Sequence, residues 1–341
     1  MFWALISMKN YILTFSDQFK KGIEAVKDIK IREKFDNVII CGMGGSAWPA
    51  ELLIDLINFN SNNWRKKKCN ILVNKNYNLP YFLGNRNLVI AISYSGNTQE
   101  TISCFNKALE RDAYVVVITT DGKLEKLAKK KKIPVIILPV EISIPRLGCG
   151  YTFSSLYKLL ANLDIIKQKD EEILKMAQNL NPLKLEPEGK KLAEKMEGKI
   201  PLIYSSFELK TLSYIWKIKL NESSKIPAFC NWFPELNHNE LSSYEIVNKT
   251  QPRWNNFFVI ILCDKQDNLK IKKRMKLTSE IIKQKGYETE IIKLSGKNVL
   301  ERVFKSIILA DWVSYYLALK YKVDPLSTQL QEEFKKKMRK I

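Results

Sequence analysis

A chain of 341 residues with 45% apolar side chains is long enough to bury two cores, so two domains are expected. Its 56 Lys+Arg against 36 Asp+Glu give a formal charge of +20, which attracts nucleic acid, phosphorylated metabolites or anionic membranes, or is simply a Lys-rich surface. The longest apolar runs, such as 257–262, are too short to span a membrane, and the apolar start 1–7, with no basic segment before it and Lys9 after it, reads as a poor signal peptide.

The basic residues are spread along the chain. The densest runs, Arg65-Lys66-Lys67-Lys68 and Lys129-Lys130-Lys131-Lys132, are short and carry no interleaved aromatics, so no nucleic-acid partner is expected. Met8 is an alternative start. The six cysteines, Cys41, Cys69, Cys104, Cys149, Cys230 and Cys263, form no CxxC pair and several sit in apolar runs, which fits a reducing cytoplasm. The only histidine is His238. One His and scattered Cys do not make an ordinary zinc site, so acid–base chemistry without metal or cofactor is expected.

In chain order, residues 37–41 read as a strand ending in glycines, and 46–58 as a helix. Strands follow at 71–73 and 88–92, then a helix at 97–111, a strand at 114–118, a helix at 123–131 and a strand at 134–138. Continuous β-branched runs alternating with amphipathic helices predict a parallel sheet covered on both faces. Residues 151–178 read as a helical bridge and 181–189 as a Pro- and Gly-containing linker. The pattern then restarts with a strand at 201–204, a helix carrying Trp216 and Glu222, strands at 257–262 and 289–292 around a helix at 269–285, a long apolar helix at 298–322 and a short charged helix. The expectation is an α/β protein of two doubly wound units, with ligands beyond the carboxyl ends of the strands.

Two clusters stand between a strand and a helix: Gly42-Met43-Gly44-Gly45-Ser46, and Ser93-Tyr94-Ser95-Gly96-Asn97-Thr98-Gln99-Glu100. Glycines admit an anion to the backbone, and helix starts favour negative charge. Gly45, Ser46, Ser93, Ser95 and Thr98 are therefore candidate phosphate ligands. The first cluster is a poor GxGxxG, with Ala47 in the last glycine's place and Asp55 inside the helix, and it lacks the P-loop lysine.

The second cluster resembles the phosphosugar signature of the SIS (sugar isomerase) superfamily. Pro145-Arg146-Leu147-Gly148, Asn221-Glu222, Asn237-His238-Asn239-Glu240 and the tail Asp324-Pro325-Leu326-Ser327-Thr328 through Lys335 resemble the bifunctional phosphoglucose/phosphomannose isomerase family, in order along nearly the whole chain. Leu147, Cys149 and the Ser-Ser before Lys225 depart from its pattern, outside the reacting groups.

The resemblance implies two SIS subdomains with C-terminal helices, placed here at 1–155 and 191–341 and joined by a helical bridge and linker at 156–190. It implies a cytoplasmic, metal-independent aldose–ketose isomerase that interconverts glucose 6-phosphate and mannose 6-phosphate with fructose 6-phosphate through a cis-enediol(ate). Glu222 would be the base, His238 and Lys335 would open the sugar ring, and Arg146 would hold the enediolate charge. Lys336 and Lys337 compete with Lys335 for its role. Thr328 would leave room for either configuration at C2, and Glu240 reads as a charge at a helix start. Family members are dimers in which the histidine comes from the neighbouring subunit, so a homodimer with His238 crossing the interface is expected. The alternatives are a non-catalytic phosphosugar sensor, although no helix-turn-helix is evident, or an SIS isomerase for another sugar phosphate.

Overall fold

A computed structural model describes residues 2–59, 69–167, 169–245 and 256–338. The basic run 65–68 lies outside the described residues. The chain forms two compact units, one of residues 14–180 and one of residues 1–13 with 181–341. Helix α1 (Phe2–Leu13) thus belongs with the second. Among the described residues no helix is long and apolar enough to cross a membrane.

The unit of residues 14–180 holds strands β1 (Asn37–Cys41), β2 (Asn70–Asn74), β3 (Asn87–Ile92), β4 (Tyr114–Thr119) and β5 (Val135–Ile137). They form one parallel sheet in the order β2-β1-β3-β4-β5. Every residue of β3 is buried, as a central parallel strand requires. Ile39, Val89, Val115 and Val117 turn one face toward Phe105 and Leu124 of the covering helices. Those helices are α2 (Asp17–Glu24), α3 (Trp48–Phe59), α4 (Gln99–Glu110), α5 (Gly122–Lys130), α6 (Cys149–Asn162) and α7 (Asp170–Asn179). From β1 the chain crosses to β2 on one side, and from β3 to β4 on the other. A crevice therefore opens between the carboxyl ends of β1 and β3.

The second unit repeats the plan with β6 (Ile200–Ser206), β7 (Phe229–Phe233), β8 (Phe257–Cys263) and β9 (Glu288–Lys293), parallel in the order β7-β6-β8-β9. Its helices are α8 (Pro182–Met196), α9 (Lys210–Lys219), α10 (Leu269–Gln284), α11 (Val299–Tyr321) and α12 (Gln329–Met338). The fold class is the expected one: α/β, with two doubly wound parallel sheets and C-terminal helices.

Three features differ from the sequence reading. The region read as the bridge 156–190 divides at 180, where α6 and α7 complete the first unit and α8 opens the second. The expected linker 181–189 is helical. Asn181 accepts a hydrogen bond from the Lys184 amide, and Pro182 takes the first helical position, where its missing N–H costs nothing. Gly189 lets α8 close on α11, because a Cβ there would run into the Trp312 side chain. Strand β7 was not foreseen: it is an edge strand with Phe229 exposed, and it lacks the continuous β-branched run of its neighbours.

Candidate functional site

The hydroxyl cluster is built at the β1/β3 crevice. Ser46 follows β1, and its Oγ accepts the Tyr94 backbone N–H at 3.0 Å, which ties the two loops together. The Ser93 Oγ, fully buried, donates to Thr98 Oγ1 at 2.9 Å and receives the Thr98 backbone N–H at 3.3 Å. Thr98 is extended and leads directly into α4, whose N-terminal dipole adds to the anion-attracting set. Ser95 is exposed and accepts from the Asn97 amide at 3.4 Å. Asn97 in turn accepts the Lys123 backbone N–H at 3.2 Å. Gly96 has φ +65, and a Cβ there would strike the Asp121 carbonyl, so the turn before α4 needs glycine.

Arg146 belongs to the same cluster. A Cβ on Gly45 would lie 2.9 Å from the Pro145 Cβ and 3.0 Å from the Arg146 nitrogen, so the first glycine loop packs directly on the arginine's backbone. Arg146 is only 2% exposed. Its loop is pinned on both sides: Tyr94 donates its phenol to the Ile142 carbonyl at 2.6 Å, and buried Gln18 donates to the Leu147 carbonyl at 2.8 Å while accepting the Gly150 amide at 2.9 Å. Gly45, Ser46, Ser93, Thr98 and Arg146 thus converge within this unit, whereas Ser95 stands at its exposed rim. Gln18 and Tyr94 were missed by the sequence reading. Their partners lie 129 and 48 residues away, and no local spacing signals them.

In the second unit, α9 does not end regularly. Leu220–Ser224 forms a π-helical turn carrying Glu222, a local widening frequent at functional sites. Below it Lys219 pairs with Asp311 of α11 at 2.5 Å, with the two side chains 1% and 2% exposed. Ser224 donates to the Ser314 carbonyl at 3.0 Å, and Asn221 to the Ile226 carbonyl at 2.9 Å. Glu222 itself is half-buried. The loop before α12 is an Asx turn, with Asp324 accepting from the amides of Leu326 at 2.8 Å and Ser327 at 3.2 Å. Half-buried Thr328 follows it, and its carbonyl accepts the Glu332 amide at 3.0 Å. Lys335 is exposed on α12, 2.6 Å from Glu332.

His238 is exposed at the end of the short 3-10 turn Glu235–His238. Its neighbour Asn237 donates to Thr278 at 2.8 Å. Glu240 was read as a helix-start charge. It does open the 3-10 turn Glu240–Tyr244, but its carboxylate also accepts from the Tyr204 phenol and the Asn231 amide. Tyr204 and Tyr244 share a 2.6 Å hydrogen bond, and burial first, then the neighbouring Tyr244 and Glu240, push the Tyr204 phenol well above its ordinary range. Glu240 therefore anchors the segment that presents His238.

Glu222 and His238 lie on opposite faces of the four-stranded sheet. Helix α9 packs with α11, where Trp216 donates to Ser306 at 3.0 Å. Leu236 and Tyr244 of the histidine segment join Tyr204, Val259, Ile261 and α10 residues Met275 and Ile282 in a different core. Crossovers on the two sides of β6 and β8 go to opposite faces of such a sheet. Just past the carboxyl end of β8, Asp264 accepts from Arg302 at 2.6 and 2.8 Å in a fully buried pair. The hydroxyl cluster therefore stands at the carboxyl ends of its sheet, whereas Glu222 does not. The π turn lies instead toward the amino ends, where Tyr321, at the end of α11, receives the Gly198 amide just before β6.

A family model for the bacterial phospho-glucose isomerase C-terminal SIS domain matches residues 185–338. A bifunctional phosphoglucose/phosphomannose isomerase of Caldicellulosiruptor bescii is 34% identical over 97% of this chain and 98% of its own length. A D-glucosamine-6-phosphate 4-epimerase of Sulfolobus acidocaldarius is 27% identical over 89% of this chain and 88% of its own. Among solved structures, the tagatose-6-phosphate ketose/aldose isomerase of Escherichia coli superposes with a TM-score of 0.71 at 13% identity, covering 94% of this chain and 95% of that one. The last shares the fold. The first, nearly co-extensive relative establishes that the chain belongs to the bifunctional phosphoglucose/phosphomannose isomerase family.

Proposed function

We propose that this protein interconverts glucose 6-phosphate and mannose 6-phosphate with fructose 6-phosphate by proton transfer through a cis-enediolate, without a metal. The observation that carries the reading is the convergence of Ser46, Ser93 and Thr98 at the β1/β3 crevice, with the backbone of buried Arg146 packed on the Gly45 loop. Hydroxyls and backbone amides at a helix start suit a phosphate dianion, and Gly45 contributes by letting its loop close on Pro145 and Arg146. Ser95 adds a hydroxyl at the rim.

The chemistry follows from the residue types. His238, assisted by Lys335, moves protons between the C1 hydroxyl and the ring oxygen to open the sugar. The Glu222 carboxylate takes the proton from C2. Electrons shift to O1, giving the enediolate, and Arg146 stabilises its charge. A proton passes from O2 to O1 while Glu222 returns its own to C1, which completes the ketose. Thr328 leaves room for either C2 configuration, so both aldoses react. The opposite faces occupied by Glu222 and His238 support a homodimer in which each histidine serves the partner's site.

The test is a coupled assay of EDTA-treated protein, following fructose 6-phosphate formed from each aldose, with Glu222→Gln beside it. Turnover of both, reduced at least about a thousandfold in the variant, is the expected result. Phosphosugar binding without turnover would replace the reading by a sensor. Turnover of neither aldose but of another sugar phosphate would make the protein a different SIS enzyme.

A further inference from the structure

The chemistry above leaves out one lysine at the centre of the geometry. Lys225 ends the π turn in a left-handed conformation, φ 60, the same helix stop that Lys322 makes after α11. From there its ammonium donates to the Glu222 carbonyl and, at 2.5 Å, to the Ser327 carbonyl. These two acceptors are distant in the chain and belong to segments carrying different candidate groups: the turn bearing Glu222 and the loop that positions Thr328.

We propose that Lys225 is a positioning residue, a clamp that fixes the Glu222 turn against the Thr328 loop. This rests on the isomerase reading, in which Glu222 is the base and Thr328 borders C2. The last carbonyls of a helix lack N–H partners within it, and a cation at that end also complements the dipole. A π turn widens the last turn, and a compact ammonium with three donors can bridge two carbonyls that a backbone amide cannot reach together. Lys225 is exposed, so its contribution is this bridge rather than core packing. The turn is already fixed on its inner side by the Lys219–Asp311 pair and by Ser224 on Ser314, which leaves the tail loop as the element the clamp adds. The Asx turn at Asp324 orders that loop internally. With the clamp, a proton acceptor and the side chain that limits the C2 substituent keep one spacing for both aldoses.

Lys225→Met and Lys225→Arg test this, by amide hydrogen exchange of residues 324–332 and by kcat and KM on glucose 6-phosphate and mannose 6-phosphate. Met keeps the length and removes the charge. It is expected to speed exchange in that segment about tenfold and to lower kcat about tenfold or more on both substrates. KM should stay within about threefold and the melting temperature should not move, because misplacing a reacting group costs rate more than binding. Arg should recover most of both losses. Unchanged exchange in Lys225→Met would remove the clamp, and unchanged kcat would remove its link to catalysis. If the wild type turned over neither aldose, the isomerase reading would fall, while the exchange result would still decide whether the clamp exists.

Discussion

Ser93 and Thr98 hold each other before any phosphate arrives, and Ser46 is held by the Tyr94 amide. Such an arrangement is preorganised, so removing one hydroxyl should weaken binding more than it slows chemistry. Ser93→Ala is expected to raise KM for either aldose about tenfold or more, the loss of roughly one charge-assisted hydrogen bond, with a smaller change in kcat; initial rates at several substrate concentrations check this. This hydroxyl set was legible because its spacing is local: three hydroxyls and a glycine between a strand and a helix. Arg146 and Glu222 are singled out only by the family resemblance, since an arginine after a strand or a glutamate among lysines is usually structural. Asp267 illustrates a residue no motif signals. It is 4% exposed, and burial chiefly, against the Asp264 amide that it accepts, pushes its carboxyl up to about 6. A carboxyl raised on folding binds its proton more tightly in the folded state. Its contribution to stability should therefore fall as pH rises from about 4 to about 6 and stay level above. Asp267→Asn should gain up to about 3 kcal/mol at pH 7.5 and nothing at pH 4, read from denaturant midpoints. An equal gain at both would sink this assignment.

The strands and long helices of both units followed from β-branched runs and amphipathic spacing. The failures are equally physical. Residues 181–189 looked like a linker because Pro182, Pro187 and Gly189 are loop residues by type. Within α8 Pro182 serves as a start signal, and Gly189 serves close packing on Trp312. Adding even a methyl group there overpacks the contact. Gly189→Ala is expected to cost about 1–3 kcal/mol, measured by denaturant unfolding, whereas an exposed helix position would gain from the same change. Strand β7 escaped because an edge strand need not be apolar on both faces. The π turn at Glu222 escaped because its cause is tertiary: it is set by Asp311 and Ser314, about 90 residues on.

At the scale of the molecule, the net charge of +20 suits anionic substrates but does not choose among them. Topology supplies what charge does not. In a doubly wound sheet the crossover helices part to opposite faces, so Glu222 after α9 and His238 beside the α10 core cannot share one face of the same sheet. This was invisible in the sequence, where the two residues are only 16 positions apart. If His238 serves the partner's site, Glu222→Gln and His238→Asn should each be nearly inactive as homodimers. Refolding them together in equal amounts should return about a quarter of wild-type turnover, because half the dimers are mixed and each then holds one intact site. No recovery, in a mixture shown by mass to contain the hybrid, would place the histidine in its own chain's site.

The central claim is that Glu222 carries a proton between C2 and C1. It is tested most directly by converting glucose 6-phosphate in D2O and reading the fructose 6-phosphate by NMR, for the wild type and Glu222→Gln. A carboxylate exposed to solvent during the enediolate's life exchanges its proton, so solvent deuterium should appear at C1 of the wild-type product, with the variant yielding almost none. Deuterium at C1 would exclude a hydride shift, and product formed at the wild-type rate by Glu222→Gln would contradict a proton carried by Glu222.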